Sequence, residues 1–540
     1  MKGFSKVLCK DMVKKEYVVR LFKKIKIKKE LLFVLAIIIV GITLRFIYFR
    51  ESVYFGYDEA RDAFRSQEIY IQKDLKLLGP IANFAGLHHG PLFWYLTGPL
   101  YLIGGGNVFF VSAVFRVVNA LGAILVYLIG KKFFNKRVGF ISALVYAFSF
   151  EQSQYAMYVG NPSLAIFAWL GLFYGAALIY KDNDYKGLVL MFASVAAAAQ
   201  FEIILSYMFV VLLVLLFLLR DKILKIEKKV WIVSFLTMAL ILSTFVIAEL
   251  KFKFQSTRAL LDLFKNGYNV MQVGDTRLSL YLKMFLKLFH DNVIALSSPK
   301  YLATVALAEV LLLFYFVKKI PSLAFILVWI FSAATILLIG GYNAYYVNVG
   351  IGVGIIIGLG FLLDRLIKKN KTLGLLILSA VLFSNLFLIL KHNQDSLIVE
   401  IKAQSHMKLA DELKIINEMY SNAQGEGFTV RATTMPYGVQ TVWAYLFNKY
   451  GEERWGYLPY WEKELVEGYP GKLPRPKKGT TCVRYLIKEP TRGIPEGLIN
   501  KDEEEENLFS RVKEEKIIGH FILQVRKAHG ECHNKKPTLN

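Results

Sequence analysis

Gly56-Tyr57-Asp58-Glu59-Ala60-Arg61-Asp62-Ala63 stands a few residues beyond an apolar run over 31–49. An acidic patch this close to a membrane face is costly unless it is solvated, paired or used. It opens a polar loop, 51–106, which ends in His88-His89-Gly90-Pro91-Leu92-Phe93-Trp94-Tyr95 before the next apolar run at 107–130. From Glu59 to Lys73 the pattern reads as a short helix, with Ala60, Ala63, Phe64 and Ile71 broadly on one side. Asp58 then lies at or near the helix start, where an aspartate can cap free amides. Asp58 and Asp62, at i and i+4, share a helix face. Glu59 and Asp62 are neighbours as well. The stretch is therefore compatible with a divalent metal held by two carboxylates, Asp58 and Glu59 first, without requiring one.

The rest of the chain agrees with a membrane reading. It has 540 residues, 55% of them hydrophobic, a mean hydropathy of +0.42 and a formal net charge of +24. That hydrophobicity fits an integral membrane protein. The basic residues sit in short clusters between apolar runs, as in cytoplasmic loops, which argues against a nucleic-acid partner. About 20 apolar residues are needed to cross the hydrocarbon. Eleven segments qualify, near 31–49, 107–130, 139–157, 162–180, 186–200, 203–219, 230–249, 300–317, 322–340, 346–366 and 373–391. Gln200 and Glu202 interrupt the run 186–219, which is therefore divided in two. With the N-terminus inside, the inner loops are almost all basic, and merging 186–219 would invert every later loop.

Residues 1–30 are rich in Lys and Arg and read as a cytoplasmic basic segment, either an amphipathic surface helix or a solvated tail that fixes orientation. The run 31–48 is followed by no small-x-small cleavage site, so it reads as a retained anchor. Residues 31–391 make one transmembrane domain, with large outer loops at 51–106 and 250–299. Residues 392–540 are charged and Pro/Gly-punctuated and read as a small extracytoplasmic α/β domain. Its expected helices lie near 400–419 and 438–450, and its strands near 427–433, 482–488 and 519–527. Glu503-Glu504-Glu505-Glu506 reads as a solvated turn. Cys482 and Cys532 would both lie outside, where a disulfide between them can form. No Cys/His spacing matches a zinc site, and no phosphate-loop or dinucleotide fingerprint occurs.

Several other residues can carry chemistry. Arg116 stands among apolar residues of the second span, an expensive position unless it pairs with Asp58, Glu59 or a phosphate. His88 and His89 either shape a turn with Gly90-Pro91 or touch substrate. The outer loop at 250–299 begins Lys251-Phe252-Lys253-Phe254-Gln255-Ser256-Thr257-Arg258. Basic groups interleaved with phenylalanine suit a phosphate on an apolar tail, or equally an interfacial helix with no specific ligand. Glu249 ends a span just before this loop. Glu151, Gln154 and Asn161 flank the third and fourth spans, and Tyr342, Asn343 and Tyr345 fall in the last outer turn. Each is a candidate for reading hydroxyls, or simply an interfacial polar residue.

The Gly-Tyr-Asp-Glu-Ala-Arg-Asp-Ala stretch after a first span, with His-x-Gly-Pro-Leu-Phe-Trp-Tyr before the second, resembles the GT-C fold glycosyltransferases that use polyprenyl-phosphate sugars. The similarity is to the protein O-mannosyltransferase and lipid A aminoarabinose transferase branch, over roughly residues 30–390. It implies that Asp58 is the catalytic acidic residue, with Glu59 beside it, on an outer loop. It implies that a lipid-phosphate sugar donor arrives from the outer leaflet, and that the loop bearing His88 and His89 lines the donor site. Arg258, with Arg116 or Lys251, would hold the donor phosphate, while Asp62 and Tyr345 would face substrate. At 202 relatives more often show a histidine, so no role carries over to Glu202. The expected activity is transfer of a hexose or pentose, with inversion, to a protein, lipid or cell-envelope glycan outside a plasma membrane, in a bacterial setting. The alternative is a transporter or flippase of lipid-linked sugars. No inverted repeat or matched pair of broken helices points to it.

Overall fold

The structure, a computed structural model, describes residues 29–82, 86–266, 276–338, 345–461 and 481–537. The expected basic N-terminal helix, and Tyr342 and Asn343, lie outside the described residues. Each of the eleven apolar segments contains helix. Among the described residues five helices are long and apolar enough to cross a bilayer by length and composition: Val108–Phe133, Asn161–Asp182, Lys228–Lys251, Pro299–Val317 and Lys371–Asp395. The others are shorter, broken or carry charge. The division of 186–219 falls at Glu202, which is extended between the Lys186–Phe201 helix and a 3-10 turn over Ile203–Tyr207. Met208–Leu218 then resumes the α-helix. The segment 139–157 is also two pieces, Lys136–Phe148 and Phe150–Met157, hinged at Ser149. Lys228–Lys251 turns large apolar side chains such as Leu236 and Leu240 outward, the face a lipid tail would cover.

Two buried arginines fasten the first span. Arg45 ends the Lys29–Arg45 helix and donates from Nε to Asn119 Oδ1 (2.6 Å) and from Nη1 to the Ala147 carbonyl (2.9 Å). Arg116 donates from Nη1 to the Arg45 carbonyl (2.5 Å) and from Nη2 to Ser52 Oγ (3.0 Å), with its guanidinium over the Phe49 ring. The expected ion pair of Arg116 with Asp58 or Glu59 is therefore not formed. One helix-end carbonyl, left without an amide partner, and one serine hydroxyl hold it instead.

The C-terminal residues form a five-stranded mixed sheet in the order β2-β1-β3-β5-β4. Its strands are β1 (Phe428–Thr433), β2 (Tyr460–Trp461), β3 (Val483–Lys488), β4 (Ser510–Ile518) and β5 (Phe521–Ala528). β1 runs parallel to β2 and β3, while β5 is antiparallel to both β3 and β4. Three of these strands match the expected ones. β2 and β4 do not, since one is two residues long and the other is mostly charged. Leu409–Ala423 and Thr441–Leu446 supply the expected helices. Cys482 and Cys532 are bonded to each other.

The run Glu503-Glu504-Glu505-Glu506 is not a solvated turn but part of the Glu496–Asn507 helix. Arg431 on β1 and Arg484 on β3 are buried and need carboxylates. Arg484 meets Glu506 through Nε (2.6 Å) and Nη2 (3.1 Å), and Arg431 meets Asp502 and Glu505. Removing one partner strands the other charge at a cost of about 3–5 kcal/mol. Arg484→Ala is therefore expected to lower the thermal midpoint of the C-terminal sheet sharply in a melt followed by near-UV circular dichroism. An unchanged midpoint would show that the pair is dispensable.

Candidate active site

The loop 51–106 is built against the chain that follows the last apolar helix. Val53-Tyr54-Phe55 runs antiparallel to 407–409, through Phe55 N–H to the Met407 carbonyl (3.0 Å) and Leu409 N–H to the Val53 carbonyl (2.9 Å). Gly56 follows as the N-cap of the Tyr57–Ile71 helix, its N–H donating to Glu59 Oε2 (3.1 Å). Glu59 thus closes the helix start, and Asp58, one turn position inside, is not the cap. Its carboxylate is free to face outward. The second half of the loop folds back as a narrow hairpin in which Gly79 and His89 pair, and Gly90 N–H reaches the Gln200 carbonyl (2.8 Å). A Cβ on Gly90 would collide with Gln200, so glycine is required at that approach. This contact brings His89 beside Glu202.

These pieces enclose a cavity of about 240 Å³ lined by Asp58, Arg61, Asp62, Pro80, His89, Tyr158, Asn161, Glu202, Tyr346 and Lys402, among others. At its mouth Asp58, whose side chain is 43% exposed, accepts from Arg61 Nη1 at Oδ1 (2.8 Å) and from Lys402 Nζ at Oδ2 (2.6 Å). Lys402 also lies 3.3 Å from Glu59 Oε1 and over the Tyr158 ring. Arg61 reaches Asp62 Oδ1 (2.9 Å), which also accepts from Trp94 Nε1 (2.8 Å). Ile203 N–H donates to His89 Nδ1 (3.1 Å), and Glu202 Oε2 lies 3.3 Å from the same nitrogen. Asn161 is buried with Oδ1 unpartnered.

Burial and charge act on these acids in opposite directions. Burial alone would raise Asp58, but Lys402 and Arg61 outweigh it and hold the carboxyl well below its ordinary range. Burial pushes Glu59 up to about 7 and raises Asp62. Burial also pushes Glu202 up to about 8 and His89 down to about 3. Lys402 is raised, because Asp58 and Glu59 more than offset its burial. The acids do not suit a divalent metal. Both oxygens of Asp58 are taken by cations, and Glu59 has one oxygen on a backbone amide and the other near Lys402.

Of the residues expected at a site, Asp58, Asp62, His89 and Asn161 line the cavity. Glu59 lies directly behind Asp58. His88 Nδ1 faces the Gly79 carbonyl (3.3 Å) and shapes the hairpin. Tyr345 is buried and donates to Asp291 Oδ2 (2.8 Å), while the neighbouring Tyr346 lines the cavity. Arg258 is exposed, donating to the Phe254 and Lys253 carbonyls, and neither it nor Lys251 lines the cavity. Arg116 is committed to the first span, as above. Glu249 caps the Gln255–Asn266 helix through Ser256 and Thr257. Glu151 and Gln154 join helices in the interior, to Asn292 and Asn393. Lys402 was not foreseen, since nothing local marks a lysine in Ile401-Lys402-Ala403 as a partner for a residue 344 positions away.

Residues 88–247 match the sequence family described as dolichyl-phosphate-mannose-protein mannosyltransferase. Among curated proteins no sequence matches. The fold is similar to that of ArnT from Cupriavidus metallidurans in the apo state, with a TM-score of 0.60, 11% identity and coverage of 91% of this chain and 97% of that one. The structure of ArnT from the same organism bound to undecaprenyl phosphate gives 0.59 and 12%, with the same coverage. The chain thus shares the fold of ArnT and, over residues 88–247, matches that mannosyltransferase family in sequence. The transporter reading is not favoured.

Lys402 is the cation that joins Asp58 to the chain beyond the membrane helices. Lys402→Met is expected to leave the protein monodisperse in detergent while reducing turnover on the order of a hundredfold, the scale of losing one preorganised charge. Full turnover by that variant would remove the lysine from the machinery.

Proposed function

We propose that the protein moves a sugar from a polyprenyl-phosphate donor to a hydroxyl-bearing acceptor on the extracytoplasmic face, with inversion. The observation that carries this reading is a carboxylate at the cavity mouth gripped by two cations, Asp58 between Arg61 and Lys402. Asp58 takes the proton of the acceptor hydroxyl as its oxygen bonds to the anomeric carbon. The bond from that carbon to the phosphate oxygen breaks, and polyprenyl phosphate leaves with the electron pair. Arg61 and Lys402 are the cations of the cavity and suit a phosphate. Arg258 and Lys251 remain candidates for meeting the donor outside it, at the interface.

Held by both cations, Asp58 is a weak base. An arriving phosphate competes for them, and each cation drawn away returns basicity to the carboxylate. The ligand that supplies the sugar thereby also switches on the base. ArnT, which has this fold, has been solved with undecaprenyl phosphate, which supports a polyprenyl phosphate here. The sugar is a hexose or pentose, and the acceptor a protein, lipid or envelope glycan.

The basic inner loops support a cytoplasmic N-terminus and a plasma-membrane location, bacterial in style. The Cys482–Cys532 bond supports an extracytoplasmic sheet. Residues 31–391 then form the transmembrane domain and 392–540 the extracytoplasmic one.

Asp58→Asn is expected to cut release of polyprenyl phosphate in proteoliposomes by roughly a thousandfold, within the range for a lost general base, with the folded yield retained. Normal turnover would overturn the assignment. Leu75, 73% exposed on the same loop, tests the sidedness. A membrane-impermeant thiol reagent is expected to label Leu75→Cys in intact cells, and labelling only after permeabilisation would place the site on the wrong side.

A further inference from the structure

His89 stands where the hairpin meets the break between two membrane helices. Glu202 is extended there, so the turn over Ile203–Tyr207 opens on an amide that its own helix leaves unpaired. That amide, Ile203 N–H, donates to His89 Nδ1 at 3.1 Å. Nδ1 has one lone pair, and the bond uses it, so the ring carries its hydrogen on Nε2. The Glu202 oxygen 3.3 Å from Nδ1 does not change this, because a proton on Nδ1 would point at the Ile203 N–H and strand it. A doubly protonated ring would keep the Nε2 hydrogen as well, and burial opposes that second proton.

The ring is also held from behind. Gly79 N–H donates to the His89 carbonyl (2.8 Å), His89 N–H to the Pro80 carbonyl (2.9 Å) and Gly90 N–H to the Gln200 carbonyl (2.8 Å). The side chain is 14% exposed and lines the cavity that holds Asp58, Arg61 and Lys402. Among the described residues no acceptor meets Nε2, and Nε2 is not sealed off from solvent.

A ring N–H offers a hydrogen and no lone pair, whereas a phosphate oxygen offers lone pairs and no hydrogen. Arg61 and Lys402 are already on Asp58, so His89 is a donor of the cavity with no carboxylate to give up first. We propose that His89 is a further catalytic residue, its Nε2–H donating a hydrogen bond to an oxygen of the phosphate that leaves the sugar. This rests on the polyprenyl-phosphate reading above and names a group that meets the phosphate. As the bond from the anomeric carbon to the phosphate oxygen breaks, that oxygen takes the electron pair and the hydrogen bond strengthens. The proton stays on Nε2, and the phosphate departs as an anion. A donor already in place needs no rearrangement as that charge grows.

Two substitutions separate this role from the capping of Ile203. His89→Asn sets an amide oxygen near the place of Nδ1 and can still cap, but nothing in it reaches as far as Nε2. His89→Gln sets an amide nitrogen near the place of Nε2 and gives up the cap. The readout is binding of undecaprenyl phosphate, which carries no sugar, to the full chain in detergent. His89→Asn is expected to bind about ten- to a hundredfold more weakly, the worth of a hydrogen bond to a charged oxygen, with its thermal midpoint near that of the wild type. His89→Gln is expected to recover most of the affinity while its midpoint falls. Wild-type affinity in the asparagine variant overturns the proposal, and is the result if Nε2 meets a sugar hydroxyl instead. An equal loss in both variants assigns the ring to the cap alone and overturns it too. If one variant does not fold, the other still decides, by weak binding for asparagine and near-wild-type binding for glutamine. No binding by the wild-type chain would sink the polyprenyl-phosphate reading itself, and this proposal with it.

Discussion

The ion pair between Lys402 and Asp58 joins the two ends of the membrane domain. One partner sits on the first loop, the other on the linker that follows the last span, 344 residues later. Backbone pairing of 53–55 with 407–409 sets the two strands side by side, and the lysine then reaches the carboxylate from the linker. Holding the Lys402 ammonium there is expensive, because taking an ion out of water costs several kcal/mol even after relaxation. The structure offsets that cost locally. Arg61 shares the carboxylate, Glu59 takes the remaining charge of the ammonium, and the Tyr158 ring lies beneath it. The pair orders the mouth of the cavity more than it stabilises the fold.

This arrangement explains why the linker is not a passive tether. Tyr54 donates to the Gln404 carbonyl, and Gln404 donates to Glu489 just past β3. Glu489 also accepts from Trp443 and from the Met435 amide. The sheet is thus connected through hydrogen bonds to the residues that precede Asp58. A displacement of the sheet has a continuous hydrogen-bonded route to the carboxylate.

Much of this was legible in the sequence because it is local. Asp58 stands out as an acid beside a span, His89 as a polar residue ahead of Gly-Pro, and the break at 202 as charge inside an apolar run. Each needs only neighbours in the chain. Arg116 was legible as expensive but not as to its partner. A guanidinium in a membrane helix can meet carboxylates or neutral oxygens, and only the packing of the first span against the second gives it the Arg45 carbonyl and the Ser52 hydroxyl. The acidic run 503–506 failed for the matching reason. Charge reads as solvation until a buried Arg431 and Arg484 are placed across from it. Lys402 was invisible, since an ammonium in a linker has no pattern until the loop it touches is folded.

The cavity sets acids of different exposure beside different neighbours. The same burial that would neutralise Asp58 is overruled by two cations, whereas at Glu202 no cation touches the carboxyl and burial prevails. Had both acids been paired, the cavity would hold two fixed anions and repel a phosphate. Had neither been, no group could accept the proton of an attacking hydroxyl. Asymmetric pairing, two cations on Asp58 and none on Glu202, sets the two acids apart within one small space.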